Sequence, residues 1–198
     1  MDKHALTELN RLWEPVRPYL VKQISELYGR NTGNVLEIGP FTGLLFDLAR
    51  SNIGSSFFIA LFPEVIIDSL QKESLKLGLQ DKVTIQTTDE KLSGIPTETF
   101  DLAIFRGAFF FPSFFNPDLS AIYHSLRGGG IAFIGGGFGI HTPQVVIEHI
   151  GKRSAELNQQ LGRVHVDKDD LRSILQSADM EQNAEILEEG GLWIVLRK

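Results

Sequence analysis

Short apolar runs alternate with stretches of helical pattern along most of this chain, and that alternation restricts the fold more than any other feature. The runs are Val35 to Ile38, Phe57 to Leu61, Val83 to Ile85, Leu102 to Phe105, Ile131 to Ile134, Ala184 to Leu187 and Trp193 to Leu196. Runs that stay apolar throughout suit strands buried on both faces, and helical segments between them serve as the crossovers of βαβ units on a parallel sheet. Helix starts are expected near Gly43, Pro63 and Pro117, since Pro is tolerated in a first helical turn and Asp118 follows the last of these. The final two runs are separated by Glu188 to Leu192, too short for a crossover helix, and should pair as an antiparallel hairpin. The expected fold class is α/β, with seven strands in one sheet.

Ahead of the first run, Leu6, Leu9, Trp13, Val16, Leu20, Ile24 and Leu27 recur near the helical period. Residues 1–30 are thus expected to form a helical cap, broken by Pro15 and Pro18, on a core of residues 31–198. It either covers a sheet face or acts as a lid over the ligand crevice. Asp167-Lys168-Asp169-Asp170 lacks the Gly and distal Glu of a calcium loop and precedes apolar residues at helical spacing, so it reads as a helix cap. No linker divides the 198 residues, which are expected to form a single domain burying roughly 70% of its unfolded surface.

Composition narrows the function. With 19 basic against 25 acidic residues the formal charge is −6, and no Lys/Arg stripe offers the clustered charge that a nucleic acid requires. No apolar stretch approaches the ~20 residues of a membrane span, and with no Cys there is no disulfide or thiolate–metal chemistry. The expectation is a cytoplasmic protein whose ligand is a small molecule, with self-association left open.

Val35-Leu36-Glu37-Ile38-Gly39-Pro40-Phe41-Thr42-Gly43 is a buried strand feeding a glycine-bounded turn that opens a helix. In a doubly wound sheet such a turn brings backbone N–H groups to the ligand crevice where no side chain intrudes. The glycines stand four apart with an acid two residues before the first, unlike the spacing of a dinucleotide fingerprint, and no Gly-Lys-Ser/Thr follows to make a phosphate loop.

This turn resembles the first motif of the class I S-adenosylmethionine-dependent methyltransferases. The resemblance extends along the chain through Phe100-Asp101-Leu102-Ala103-Ile104, Ser125-Leu126-Arg127-Gly128-Gly129-Gly130 and the closing Gly191 to Lys198. It implies a Rossmann-like sheet of order 3-2-1-4-5-7-6, with the last strand antiparallel, and S-adenosyl-L-methionine as cofactor. It also implies roles: Gly39, Phe41 and Gly43 form the loop under the methionine part, Glu37 holds its ammonium through water, and Asp89 accepts from the adenine amine. Asp89 reads equally as a loop cap. The family's ribose-binding acid is missing, because Ala60 stands in its place; Glu64, on the next helix, either reaches the diol or is a helix-start charge.

Phe105-Arg106-Gly107 places a cation where metal-dependent relatives carry a metal-binding acid, so no metal is expected. Phe105 to Pro112 and Gly135-Gly136-Gly137-Phe138-Gly139 resemble small-molecule methyltransferases instead. Seven of the 14 Phe residues fall between Phe100 and Phe115, and adjacent rings cannot all enter one core, so the cluster divides between core packing and an apolar acceptor pocket. Arg106 in this setting either pairs with an acid or binds an anionic acceptor group. His141 follows the glycine-rich turn and is the candidate general base, its unperturbed pKa of ~6.5 suiting proton removal. His124 and His149 lie in helical patterns and read as structural. The reading is a methyltransferase acting on a small, partly apolar acceptor; the alternative is a non-catalytic binding or regulatory module on the same fold.

Overall fold

All seven apolar runs lie inside strands of the computed structural model, which describes residues 2–62 and 66–198. In chain order the elements are α1 (Lys3–Leu12), α2 (Arg17–Tyr28), β1 (Asn34–Ile38), α3 (Leu44–Arg50), β2 (Ser56–Leu61), α4 (Ile67–Lys76), β3 (Val83–Thr87), β4 (Phe100–Arg106), α5 (Leu119–Ser125), β5 (Leu126–Gly136), α6 (Gln144–Gln160), α7 (Lys168–Ser177), β6 (Ala184–Leu187) and β7 (Leu192–Arg197). The strands form one sheet of order β3-β2-β1-β4-β5-β7-β6. Strand β7 runs antiparallel to both its neighbours, and the pairs from β3 to β5 are parallel.

Local chemistry sets most helix ends. The break at the prolines is real: α1 stops at Leu12, a 3-10 turn spans Glu14–Val16, and Pro18 sits in the first turn of α2, where its missing N–H removes no helical bond. Asp118 caps α5 by accepting from the Ala121 N–H at 2.9 Å, so Pro117 stands ahead of the cap rather than within the first turn. Asp167 and Asp170 close a capping box on α7. The helix expected at Pro63 is described from Ile67; Pro63 and Glu64 lie outside the described residues.

Side-chain alternation along the strands divides the core between two faces. One face packs Leu36, Ile38 and Phe105 against Leu6 and Leu9 of α1, Ile122 of α5 and Leu171 of α7. The other packs Val35, Ile59 and Ile104 against Leu20 and Ile24 of α2 and Leu44 and Leu48 of α3. Helices on both faces make the sheet doubly wound. At the amino ends of the strands, buried Asp101 accepts from the Asn34 N–H at 2.8 Å and pairs with Arg30 and Arg127, tying β1, β4 and β5 together. From β1 the chain winds outward to β2 and β3, then returns to β4 on β1's other side. The crevice beyond the carboxyl ends of β1 and β4 is therefore a topological switch point, where open α/β sheets take their ligands.

Trp193 of β7 is 1% exposed and stacks on Phe133 of β5, ring centroids 4.1 Å apart. Trp193→Ala is expected to lower stability by about 3–5 kcal/mol, read as a lower urea midpoint with an unchanged slope. A loss below about 1 kcal/mol would contradict the packing described.

Candidate functional site

The site is organised by a carboxylate that solvent does not reach. Glu37, near the end of β1 and fully buried, accepts from the N–H groups of Gly43 and Leu44 at 3.0 Å each and of Leu45 at 3.2 Å. These donors would otherwise lack partners at the first turn of α3. The turn Gly39–Gly43 is thus drawn closed beneath the crevice. Burial pushes the Glu37 carboxyl above the usual range, while the guanidiniums of Arg106 and Arg17 and the amide donors pull it back. Glu37, expected beneath an ammonium group, has both oxygens committed to α3; its role in this geometry is to shape the turn.

Two guanidiniums converge on the same turn. Arg106, at the end of β4, donates to the Thr42 carbonyl at 3.2 Å, and Arg17 of α2 donates to the same oxygen at 3.4 Å and to the Asn10 carbonyl at 3.0 Å. Asp47 of α3 lies 3.9 Å from Arg17. Arg106 is 6% exposed, and desolvation lowers its pKa to about 10 against the opposing pull of Glu37. Of the two expectations for Arg106, the structure shows no ion pair with an acid among the described residues; its guanidinium bonds a backbone carbonyl within the field of Glu37, and the residue also lines a cavity.

That cavity, of about 260 Å³, lies between α1, the segment after β4, the end of β5 and α6. Phe41, Phe110 and Phe111 contribute rings from one side; Trp13 and Phe138, stacked at 4.8 Å, contribute from the other. The aromatic cluster therefore divides as its crowding required: Phe105 and Phe115 pack in the core, while three rings of the same segment and turn face the cavity. Phe41 is held by Gly107, whose missing Cβ leaves room for the ring that a side chain would meet at 2.4 Å, and by Phe111 at 4.7 Å. Gly39 works likewise at φ +87°, but what approaches it is the Phe105 ring, 2.6 Å from where a Cβ would stand.

Two candidate residues make contacts of their own outside the cavity. His141 is not among the residues lining the cavity: its Nε2 lies 2.6 Å from a carboxylate oxygen of Glu26 on α2, which pins the post-β5 loop to the helical cap. Asp89 is a loop cap, its exposed carboxylate accepting from the N–H groups of Lys91 at 2.9 Å and Ser93 at 3.1 Å. Ala60 is fully buried opposite Ile38, and after it Phe62 packs edge-on against Phe105 and Phe115, at 5.9 and 5.6 Å. Glu64 lies outside the described residues.

Sequence reasoning missed Trp13, Trp193, Arg163 and the cavity wall supplied by α6. A signal for the wall was present, since Gly151, Ser154, Ala155 and Asn158 recur at helical spacing as a stripe of small and polar residues.

No family model matches the chain, and no curated protein matches it. Solved structures do. A protein from Methanococcus maripaludis, provisionally assigned as an S-adenosyl-L-methionine-dependent methyltransferase, superposes with a TM-score of 0.78 over 100% of this chain and 93% of its own, at 23% identity. A SAM-dependent methyltransferase from Aquifex aeolicus gives 0.64 at 15% identity, covering 100% and 97%. PigF, solved with SAH, gives 0.66 at 17% identity, covering 99% of this chain and 58% of its own. The architecture is therefore the Rossmann-like fold of class I S-adenosylmethionine-dependent methyltransferases.

The geometry separates Glu37 from His141 in consequence. Glu37→Ala strands three buried N–H groups and leaves Arg106 short of its counter-charge, so it is expected to cost at least about 3 kcal/mol in urea denaturation. His141→Ala breaks one partly exposed pair and should cost no more than about 1 kcal/mol. Similar losses in the two variants would contradict the assignment.

Proposed function

We propose that this protein is an S-adenosylmethionine-dependent methyltransferase acting on a small, partly apolar acceptor. One observation carries the reading: a glycine turn, closed by Glu37 at the switch point between β1 and β4, borders a cavity lined by rings. The methionine half of the cofactor fits the residues around the turn. Arg17 offers a guanidinium to a carboxylate, the buried Thr42 hydroxyl has no partner among the described residues, and Glu37 and Asp47 lie near the turn to offset added positive charge. The ribose half departs from the family pattern at Ala60.

When bound, the cofactor supplies a methyl group on a sulfonium sulfur; the acceptor's lone pair forms the new bond as the carbon–sulfur pair leaves to sulfur. The chain's own residues contribute position and dryness. Rings from Trp13, Phe41, Phe111 and Phe138 exclude water and orient an apolar acceptor, the kind of help an in-line displacement needs most. Among the described cavity residues the titratable side chains are arginines, so no general base is assigned.

Ala60 and the Phe62–Phe105–Phe115 packing favour a second reading, a binding module that retains the fold without the cofactor. Calorimetric titration separates the two. Under the methyltransferase reading the protein binds S-adenosylmethionine and S-adenosylhomocysteine at micromolar concentrations. Gly43→Ala, whose Cβ would stand 2.9 Å from the Arg17 guanidinium at a left-handed φ of +103°, should bind about tenfold more weakly, a change of about 1.4 kcal/mol. Unchanged affinity in that variant would remove the turn from the site, and no binding by the wild type at millimolar ligand would leave the binding module.

A further inference from the structure

The donors and acceptors around the cavity are out of balance. Arg106 and Trp193 line the cavity, and Arg106 Nε and Trp193 Nε1 are buried with no hydrogen-bond partner among the described residues. Both are donors. The register sets Arg106, Gly135 and Trp193 side by side across β4, β5 and β7, so the two side chains stand on one face with a glycine between them. Adjacent strands lie about 4.8 Å apart, so the two side chains rise from the same face about two strand spacings apart, with no side chain between them. A third donor is Arg163, after α6, at the more exposed side of the lining; its guanidinium lies over the Phe110 ring, 4.8 Å from the centroid, and no described carboxylate pairs with it. The lining has two guanidiniums and no Asp or Glu.

Buried donors without acceptors are costly, and a ligand that supplies the acceptors recovers that cost. A neutral apolar ligand would leave Arg106 Nε and Trp193 Nε1 as they are; a cation would be repelled by two guanidiniums. A group with several lone pairs and negative charge offers acceptors to such donors and suits a lining with two guanidiniums. Much of the rest of the wall is aromatic, and one pair of its rings, Trp13 and Phe138, is nearly parallel, inclined at 8°. An apolar cavity of about 150 Å³ takes a benzene ring, so about 260 Å³ accommodates a ring system carrying a substituent.

We infer that the cavity selects a small aromatic carboxylate, its anionic end at Arg106 and Trp193, its ring system between the Trp13–Phe138 pair and Phe41, and Arg163 drawing it in from the exposed side. This deepens the proposed function, resting on the cavity being the acceptor site, and it accounts for the want of a base: an acceptor that arrives as an anion has already lost its proton.

The test is calorimetry with 2-naphthoate and its uncharged isostere 2-naphthamide. The carboxylate should bind the wild type at least tenfold more tightly than the amide. Trp193→Phe, which keeps a ring and removes the Nε1 donor, and Arg163→Gln should each weaken naphthoate about three- to tenfold; thermal melts check that both variants remain folded. Arg163→Gln should leave the amide unaffected. Equal affinity for the two probes, no binding of either at millimolar concentration, or naphthoate affinity unmoved in both folded variants would overturn the inference. A parallel titration with S-adenosylmethionine keeps the two readings apart: naphthoate binding without cofactor binding removes methyl transfer and leaves the anion site, and the reverse result removes the anion site alone.

Discussion

A single buried carboxylate decides the shape of the crevice. Glu37 occupies the position on β1 where the strand gives way to the glycine turn, and with no solvent to stabilise its charge it depends on the amides of Gly43, Leu44 and Leu45 and on the field of Arg106 and Arg17. Those amides in turn are the donors that a helix start leaves unpaired. Each side therefore resolves the other's deficit, and the turn between them has little freedom left. The turn presents Phe41 to the cavity and the Thr42 carbonyl to two guanidiniums, so cavity floor, loop and charge cluster share one constraint.

The carboxyl edge of the sheet is asymmetric about that turn. Toward β5 and α6 it opens into a cavity with unmet donors; toward β2 it closes on Phe62, Phe105 and Phe115. The polar half faces where an acceptor would lie, and the apolar half stands where the family's ribose contact is expected. A cofactor held here would depend on the glycine turn and its arginines more than on a strand-end acid. That is a testable difference from the family pattern rather than a variation in packing alone.

The architecture was legible because it depends on periodicity and short connections. Continuous apolar runs marked the strands, the interval from Glu188 to Leu192 forced the hairpin, and Asp167 marked its own helix. Strand order came from the motif resemblance, since apolar runs say nothing about neighbours. The glycine turn was legible from its spacing, though not the fact that Glu37 would be turned inward onto α3. What was not legible depends on contacts distant in sequence. The partner of His141, Glu26, is 115 residues away on the helical cap. Trp13 reached the site through the break at the prolines, which directs α1 toward α6, and Arg163 through a turn after α6 that no local pattern marks. For Asp89 the loop-cap alternative was local and legible: its own loop bonds the carboxylate within four residues.

Under the proposed function the Glu37-closed turn and the end of β4 together form a cofactor and acceptor crevice. Amide hydrogen exchange, followed by mass spectrometry with and without S-adenosylhomocysteine, tests it most directly, because it reports where a ligand stabilises the backbone without presuming an acceptor. Slowed exchange is expected in peptides spanning residues 39–45 and 105–111, with the amino-terminal edge around Asp101 unchanged. Unaltered exchange in both segments at saturating ligand, or protection confined to another part of the chain, would contradict it.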